Sequence, residues 1–229
     1  MLQLSQQQQT ELQQKLSNEG FARIENILDD TNAQHLHECL CNLDYQLALF
    51  HNGAAKSVKD SDILALTPQE QQALLEDIHS YASRGVGFMY GRHSIASTSP
   101  DTLKKLYNNL NSSAVQSCFS AISGQNIIRT SAQATRFIGG QYLTRHNDIV
   151  EAEGRVYAYV LSLSKSWHPD WGGLLQFFER DGTPTKSYAP KFNSLVVFDV
   201  SKIHSVTYVA PFAKAPRLSV TGWFRTIDT

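Results

Sequence analysis

Eight histidines and 21 acidic side chains in 229 residues make a His-x-Asp pair weak evidence on its own. Two such pairs occur, His146-Asn147-Asp148 and His168-Pro169-Asp170, and their contexts differ. His146 closes the stretch Gln141-Tyr142-Leu143, and on a strand residues i and i+2 share a face. Its imidazole and the Asp148 carboxylate should therefore point together into the mouth of a barrel. His168 lies among Trp167, Pro169, Trp171, Gly172 and Gly173, a loop composition, and reads as an exposed or packing residue. A third ligand is offered by His204, in Val197-Phe198-Asp199-Val200-Ser201-Lys202-Ile203-His204-Ser205-Val206, at a junction between two strands. Two imidazoles and one carboxylate on one side of a metal leave three positions open, the arrangement used for oxygen chemistry at non-haem Fe(II). Zinc takes the same ligands, so the triad alone does not select the metal.

Arg217 opens Arg217-Leu218-Ser219-Val220-Thr221-Gly222-Trp223-Phe224. A period of two places Arg217, Ser219, Thr221 and Trp223 on one face and Leu218, Val220 and Phe224 on the other. A guanidinium on a barrel strand is costly to bury unless it meets an anion, and its fork matches a carboxylate. Ser219 adds a hydroxyl donor. A dicarboxylate co-substrate fits, with one end on the metal and the other on Arg217.

The elements that must position these groups fall into two blocks. Residues 1–125 read as mainly helical support. Leu12 and Leu16 precede a stop at Gly20, a short strand follows at 21–24, and Thr31 caps a helix to about Leu49. Thr67-Pro68-Gln69-Glu70 is a capping box opening a helix to about Ser83, and Ser99-Pro100-Asp101 opens another to about Ile122. The aromatic segment 84–98 reads as irregular, a lid or a loop. From residue 127 the period becomes two, with strands expected at 127–137, 140–146, 155–163, 174–178, 184–189, 193–199, 204–210 and 216–225. The fold class is α+β: a double-stranded β-helix, or jelly roll, of about eight strands in 126–229, with N-terminal helices packed on one sheet. Residues 1–229 are expected to form a single domain.

Composition narrows the function classes. Lys+Arg 20 against Asp+Glu 21 gives a net charge of -1, with no global field for nucleic acid or anionic lipid. No apolar run approaches the roughly 18 residues a bilayer span needs, and no secretory signal is expected at Met1-Leu2-Gln3-Leu4. Three cysteines, Cys39, Cys41 and Cys118, read as reduced thiols in a cytoplasmic protein.

Taken together, His146-x-Asp148, His204 and Arg217-x-Ser219 within the late strands resemble the 2-oxoglutarate- and Fe(II)-dependent dioxygenases. The prolyl-hydroxylase branch is the nearer likeness, especially the ribosomal-protein prolyl hydroxylases. The stretches that carry it are 139–148, Trp167 through Leu174 with its Trp-Gly-Gly, Val196-Val197-Phe198 leading to His204-Ser205-Val206, and 217–224. The resemblance implies that His146, Asp148 and His204 hold Fe(II), that Arg217 binds the distal carboxylate of 2-oxoglutarate, and that Trp223 lines the pocket. Two departures appear: Phe137 stands where the family often has tyrosine nine residues before the first histidine, and Leu161-Ser162-Leu163 replaces a second tyrosine. Tyr142 or Ser219 would compensate.

On that reading 2-oxoglutarate and O2 are co-substrates, ascorbate is an accessory reductant, and a prolyl residue of a protein is hydroxylated as the keto acid becomes succinate and CO2. No protein nucleophile or general base is required. Segments 84–95 and 149–154 are the expected substrate contacts. The alternatives are a hydroxylase of a free amino acid or other small molecule, a zinc hydrolase with Glu151 or Glu153 as base, and a metal-free jelly-roll binding module.

Overall fold

The computed structural model describes residues 2 and 4–228. Helix starts follow capping chemistry written in the sequence. Ser5 and Thr67 each accept from the backbone N–H three residues on, while Gln8 and Glu70 return a side chain to the cap backbone, so two orphan donors are satisfied at each end. In chain order the elements are α1 (Gln6–Glu19), β1 (Phe21–Glu25), α2 (Asp30–Cys41), β2 (Gln46–His51), β3 (Ala54–Lys59), α3 (Asp60–Leu64), α4 (Pro68–Ala82), β4 (Phe88–Ser94), α5 (Asp101–Leu110) and α6 (Ser113–Ser123). There follow β5 (Arg129–Thr130), β6 (Gln133–Phe137), β7 (Tyr142–His146), β8 (Arg155–Ser162), β9 (Leu175–Phe178), β10 (Pro184–Tyr188), β11 (Ser194–Asp199), β12 (Ile203–Val206) and β13 (Arg217–Arg225).

The strands hydrogen-bond along the path β1-β11-β8-β13-β6-β4-β7-β12-β9-β10, with β2 and β3 attached through β4 and β5 through β13. The path curls on itself. Phe21 of β1 stacks on Phe177 of β9, ring centroids 4.6 Å apart, although those strands lie near opposite ends of it. Strand β4 makes the corner: Gly91 to Ser94 pair with β6, while Phe88 and Met89 pair with β7. The result is the expected jelly roll, with β7-β12-β9-β10 facing β1-β11-β8-β13-β6.

The period of two in β13 sorts its side chains as anticipated. Leu218, Val220 and Phe224 join a core shared with α1, α2, α5 and α6, and Phe224 stacks on Phe119 of α6 at 3.7 Å. Arg217, Thr221 and Trp223 face the interior cavity. Helix α4 lies elsewhere, packing Ile78 against Leu49, Met89 and Tyr142.

Besides the expected β1, three strands, β2, β3 and β4, lie in the block read as mainly helical. Leu36, Leu40, Leu43 and Leu47 continue a helical spacing past the end of α2, yet Gln46 to Leu49 pair with β4 and form a hairpin with β3. Cross-strand pairing outweighs local period there. The segment 84–98 contains β4 and is not irregular throughout. The helix expected from Asp101 to Ile122 breaks at Asn111-Ser112, where Ser112 caps α6 and the Asn111 side chain both accepts from and donates to the Thr130 backbone.

Candidate active site

Strands β7 and β12 run antiparallel with His146 and His204 as Cα partners, which brings their ring centroids to 4.2 Å. Each ring is oriented the same way: Nδ1–H donates to the carbonyl two residues back, Thr144 for His146 and Lys202 for His204, both at 2.9 Å. Such bonds fix the tautomer and leave Nε2 as the free lone pair. Asp148, just past β7, is held by its N–H to the Val200 carbonyl at 2.8 Å. Its Oδ1 lies 3.7 Å from His146 Nε2 and its Oδ2 3.5 Å from His204 Nε2. The three ligand atoms lie within 4.8 Å of one another. Burial, reinforced by the neighbouring imidazole, pushes His204 down to about 4, so that ring is neutral near pH 7, as a ligand must be.

The triad lines a cavity of about 500 Å³ between the two layers, and Arg217 lines the same cavity. Arg217 is 2 % exposed, and its guanidinium sits over the Phe137 ring at 5.2 Å. Its Nη1 donates to Ser219 Oγ at 3.4 Å, and Nε has no partner among the described residues. Burial brings its pKa down to about 10. A buried cation with an unsatisfied donor fits an anionic ligand. The Trp-Gly-Gly run makes room for it. Gly172 and Gly173 have φ of +67° and +62°, and a Cβ at Gly173 would stand 3.2 Å from Arg217 Cδ and 3.0 Å from Trp167.

The other expected residues divide. Trp223 lines the cavity. Ser219 is fully buried and bonded to Thr135 Oγ1 at 2.8 Å, so it braces Arg217 from behind instead of facing the cavity. Tyr142 is not brought to the site. A β-bulge sets Leu143 against Val206 while His146 faces His204, which reverses the alternation and turns Tyr142 outward against α4. His168 is exposed, its Nδ1 accepting from the Asp170 N–H. Of the expected substrate segments, Gly85 to Phe88, Tyr90 and Arg92 line the cavity, and residues 149–154 do not. Glu153, a base for the hydrolase alternative, is bound to Arg155 and Arg225, and the Arg155 bond holds its carboxyl below the usual range.

Sequence reasoning missed Tyr90, Arg92 and Gln133 as individual wall residues. Tyr90 stacks flat on Phe137, centroids 4.9 Å apart, so an aromatic hydroxyl from β4 stands beside the position where tyrosine was missing. The spacing Tyr90-x-Arg92 was the available signal, hidden because that segment did not read as a strand.

Residues 132–225, which hold the triad, Arg217 and Trp223, match the family model of the 2OG-Fe(II) oxygenase superfamily. The superfamily that this region matches is a group of oxidoreductases that use Fe(II) and 2-oxoglutarate. The particular likenesses are to prolyl hydroxylases. Prolyl 3-hydroxylase OGFOD1 of Xenopus laevis is 42% identical over 86 residues, covering 34% of this chain and 16% of that protein. Prolyl 3,4-dihydroxylase OGFOD1 of Ostreococcus tauri is 27% identical over 221 residues, covering 90% of this chain and 38% of that protein. The chain thus spans well under half the length of these curated relatives. In fold it is similar to a Pseudomonas putida prolyl-4-hydroxylase, with TM-score 0.66, 19% identity, and coverage of 96% of this chain and 100% of that one. A Trichoplax adhaerens prolyl hydroxylase bound to a hypoxia inducible factor peptide fragment gives 0.64 at 19% identity, covering 95% and 88%.

Proposed function

We propose that this protein hydroxylates a prolyl residue of a protein substrate, with Fe(II) held by His146, Asp148 and His204 and the distal carboxylate of 2-oxoglutarate on Arg217. The observation that carries the reading is the pairing, in one cavity, of two Nε2 atoms turned toward a carboxylate with a buried guanidinium whose Nε has no described partner. When bound, Fe(II) and 2-oxoglutarate supply the O2-dependent oxidising chemistry that converts C–H to C–OH with release of succinate and CO2. The protein's part is geometric. Arg217, braced by Ser219, selects and orients a dicarboxylate, and Trp223 walls the cavity. Phe88, Tyr90 and Arg92 of β4 flank the side from which a substrate side chain enters.

The names of the OGFOD1 relatives and the fold shared with prolyl hydroxylases support prolyl as the target. Among the described residues no helix is long and apolar enough to cross a membrane, and three unpaired cysteines support a cytoplasmic setting. The joining of all thirteen strands in one hydrogen-bonded sheet supports reading residues 1–229 as one domain. The test is incubation of purified protein with Fe(II), 2-oxoglutarate and a panel of proline-containing peptides, scored for succinate and for a one-oxygen mass gain on proline. Succinate formation driven only by free amino acids would reject the protein-substrate reading. An absence of any 2-oxoglutarate turnover would reject the oxygenase itself.

A further inference from the structure

We propose that Arg155 is a positioning residue that ties the Asp148 main chain and the Trp223 indole into one rigid unit and so aims the Asp148 carboxylate at the two histidines. The inference rests on the reading of His146, Asp148 and His204 as a metal site. Arg155 opens β8, and its side chain is only 14 % exposed. Its Nη1 lies 3.4 Å from the Asp148 carbonyl oxygen, to which it donates, and 4.0 Å from Asp148 Oδ1. Its Nε donates to Glu153 Oε2 at 2.9 Å. The guanidinium carbon stands 3.7 Å from the centroid of the Trp223 ring. Arg155 is not part of the cavity lining, whereas Asp148 and Trp223 both are, so it works from behind both walls.

The Asp148 carboxylate accepts no hydrogen bond of ordinary length from the side chains described around it, its contacts being ion pairs of 3.5 to 4.0 Å. Its aim therefore depends on the main chain, which is pinned by the N–H to Val200 and by the carbonyl to Arg155. Glu153 fixes the direction of the Arg155 fork and is itself held by Arg225, whose Nη2 is 3.2 Å from Glu153 Oε2 and whose Nε donates to the Glu153 carbonyl. One planar cation thus meets a carbonyl, a carboxylate and an aromatic face at once. A lysine, with a single point charge and no plane, cannot make all three contacts.

The experiment measures Mn(II) affinity by electron paramagnetic resonance without 2-oxoglutarate, at a temperature where circular dichroism shows every variant folded. Arg155→Gln should weaken Mn(II) binding about 10- to 100-fold, the cost of losing an outer-shell partner, and Arg155→Lys should recover little of it. Glu153→Gln, which leaves Arg155 in place but loosens its aim, should weaken binding by a smaller factor and add nothing when combined with Arg155→Gln. Should Arg155→Gln fail to fold, Glu153→Gln carries the test. Wild-type Mn(II) affinity in folded Arg155→Gln, or in Glu153→Gln if that is the variant available, would overturn the role of Arg155 and leave the metal site standing. Wild-type protein that binds no Mn(II) would sink the metal-site reading, and this inference with it.

Discussion

His146 and His204 stand opposite each other across the β7–β12 ladder as Cα partners, and both turn Nε2 toward Asp148. Neither ring needs to move to share a ligand, since each Nδ1–H already bonds a backbone carbonyl. Replacing either histidine or Asp148 by alanine should therefore remove turnover and lower Mn(II) affinity by more than about 100-fold, beyond the outer-shell range. The far-ultraviolet circular dichroism should be unchanged. Retained Mn(II) binding in two of the three variants would place the metal elsewhere.

Arg217 has opposite effects on ligand binding and on the free protein. Charge-assisted hydrogen bonds contribute about 1.5–3 kcal/mol each, so Arg217→Met should raise the Kd for 2-oxoglutarate by about 30-fold or more. The same change removes a buried cation with an unsatisfied Nε, so the ligand-free protein should melt no lower than wild type and higher if packing is kept. Thermal melts with and without 2-oxoglutarate, in the presence of Mn(II), read both effects in one series.

Gly173→Ala should damage the co-substrate site without touching a polar group. The new Cβ would occupy a left-handed backbone position and press on Arg217 Cδ and Trp167. The backbone cost alone is about 1–2 kcal/mol, and displacement of the guanidinium should add a several-fold loss of 2-oxoglutarate affinity. A variant with wild-type melting and affinity would show that the loop yields freely.

The tip of the β2–β3 hairpin is tethered to α4. Asp77 accepts from His51 Nδ1 at 2.6 Å and from the Asn52 N–H at 3.0 Å, and these bonds, the backbone one foremost, hold its carboxyl below the ordinary range. A lowered carboxylate pKa contributes stability that is present above the unfolded value of about 3.9 and is lost as pH falls through the folded value. Amide exchange across 50–54, corrected for intrinsic rates, should therefore rise in Asp77→Ala at neutral pH. In wild type it should rise only below about pH 4. Equal protection in the two proteins at neutral pH would show that Phe50, packed edge-on to Tyr81, anchors the tip alone.

Legibility in the sequence followed the range of the forces involved. The late strands could be read because they are short runs rich in β-branched and aromatic residues bounded by glycine, proline and asparagine, and β8, β9, β11 and β13 fall within a residue or two of expectation. The triad was legible because a metal site needs few residue types. Strands β2 and β4 were not legible. The apolar residues of β2 continue the helical spacing of α2, and β4 lies in a glycine-broken aromatic segment that reads as irregular; only pairing makes them strands, Ala48 with Tyr90, Gly91 with Arg136 and Phe88 with Leu143. Tyr142 was misplaced for a related reason, since nothing local announces the bulge that turns it outward.

Residue chemistry thus determined which side chains this protein brings to its site: two imidazoles and one guanidinium on strands, and one carboxylate just past the end of β7. Tertiary structure decided what stands around them. Tyr90 against Phe137, Ser219 bonded to Thr135 of β6 and Arg155 behind Asp148 are contacts between separate elements of the fold. Their geometry depends on register, twist and bulges, which arise from the summed packing of the whole sheet and leave no mark on any short stretch of chain.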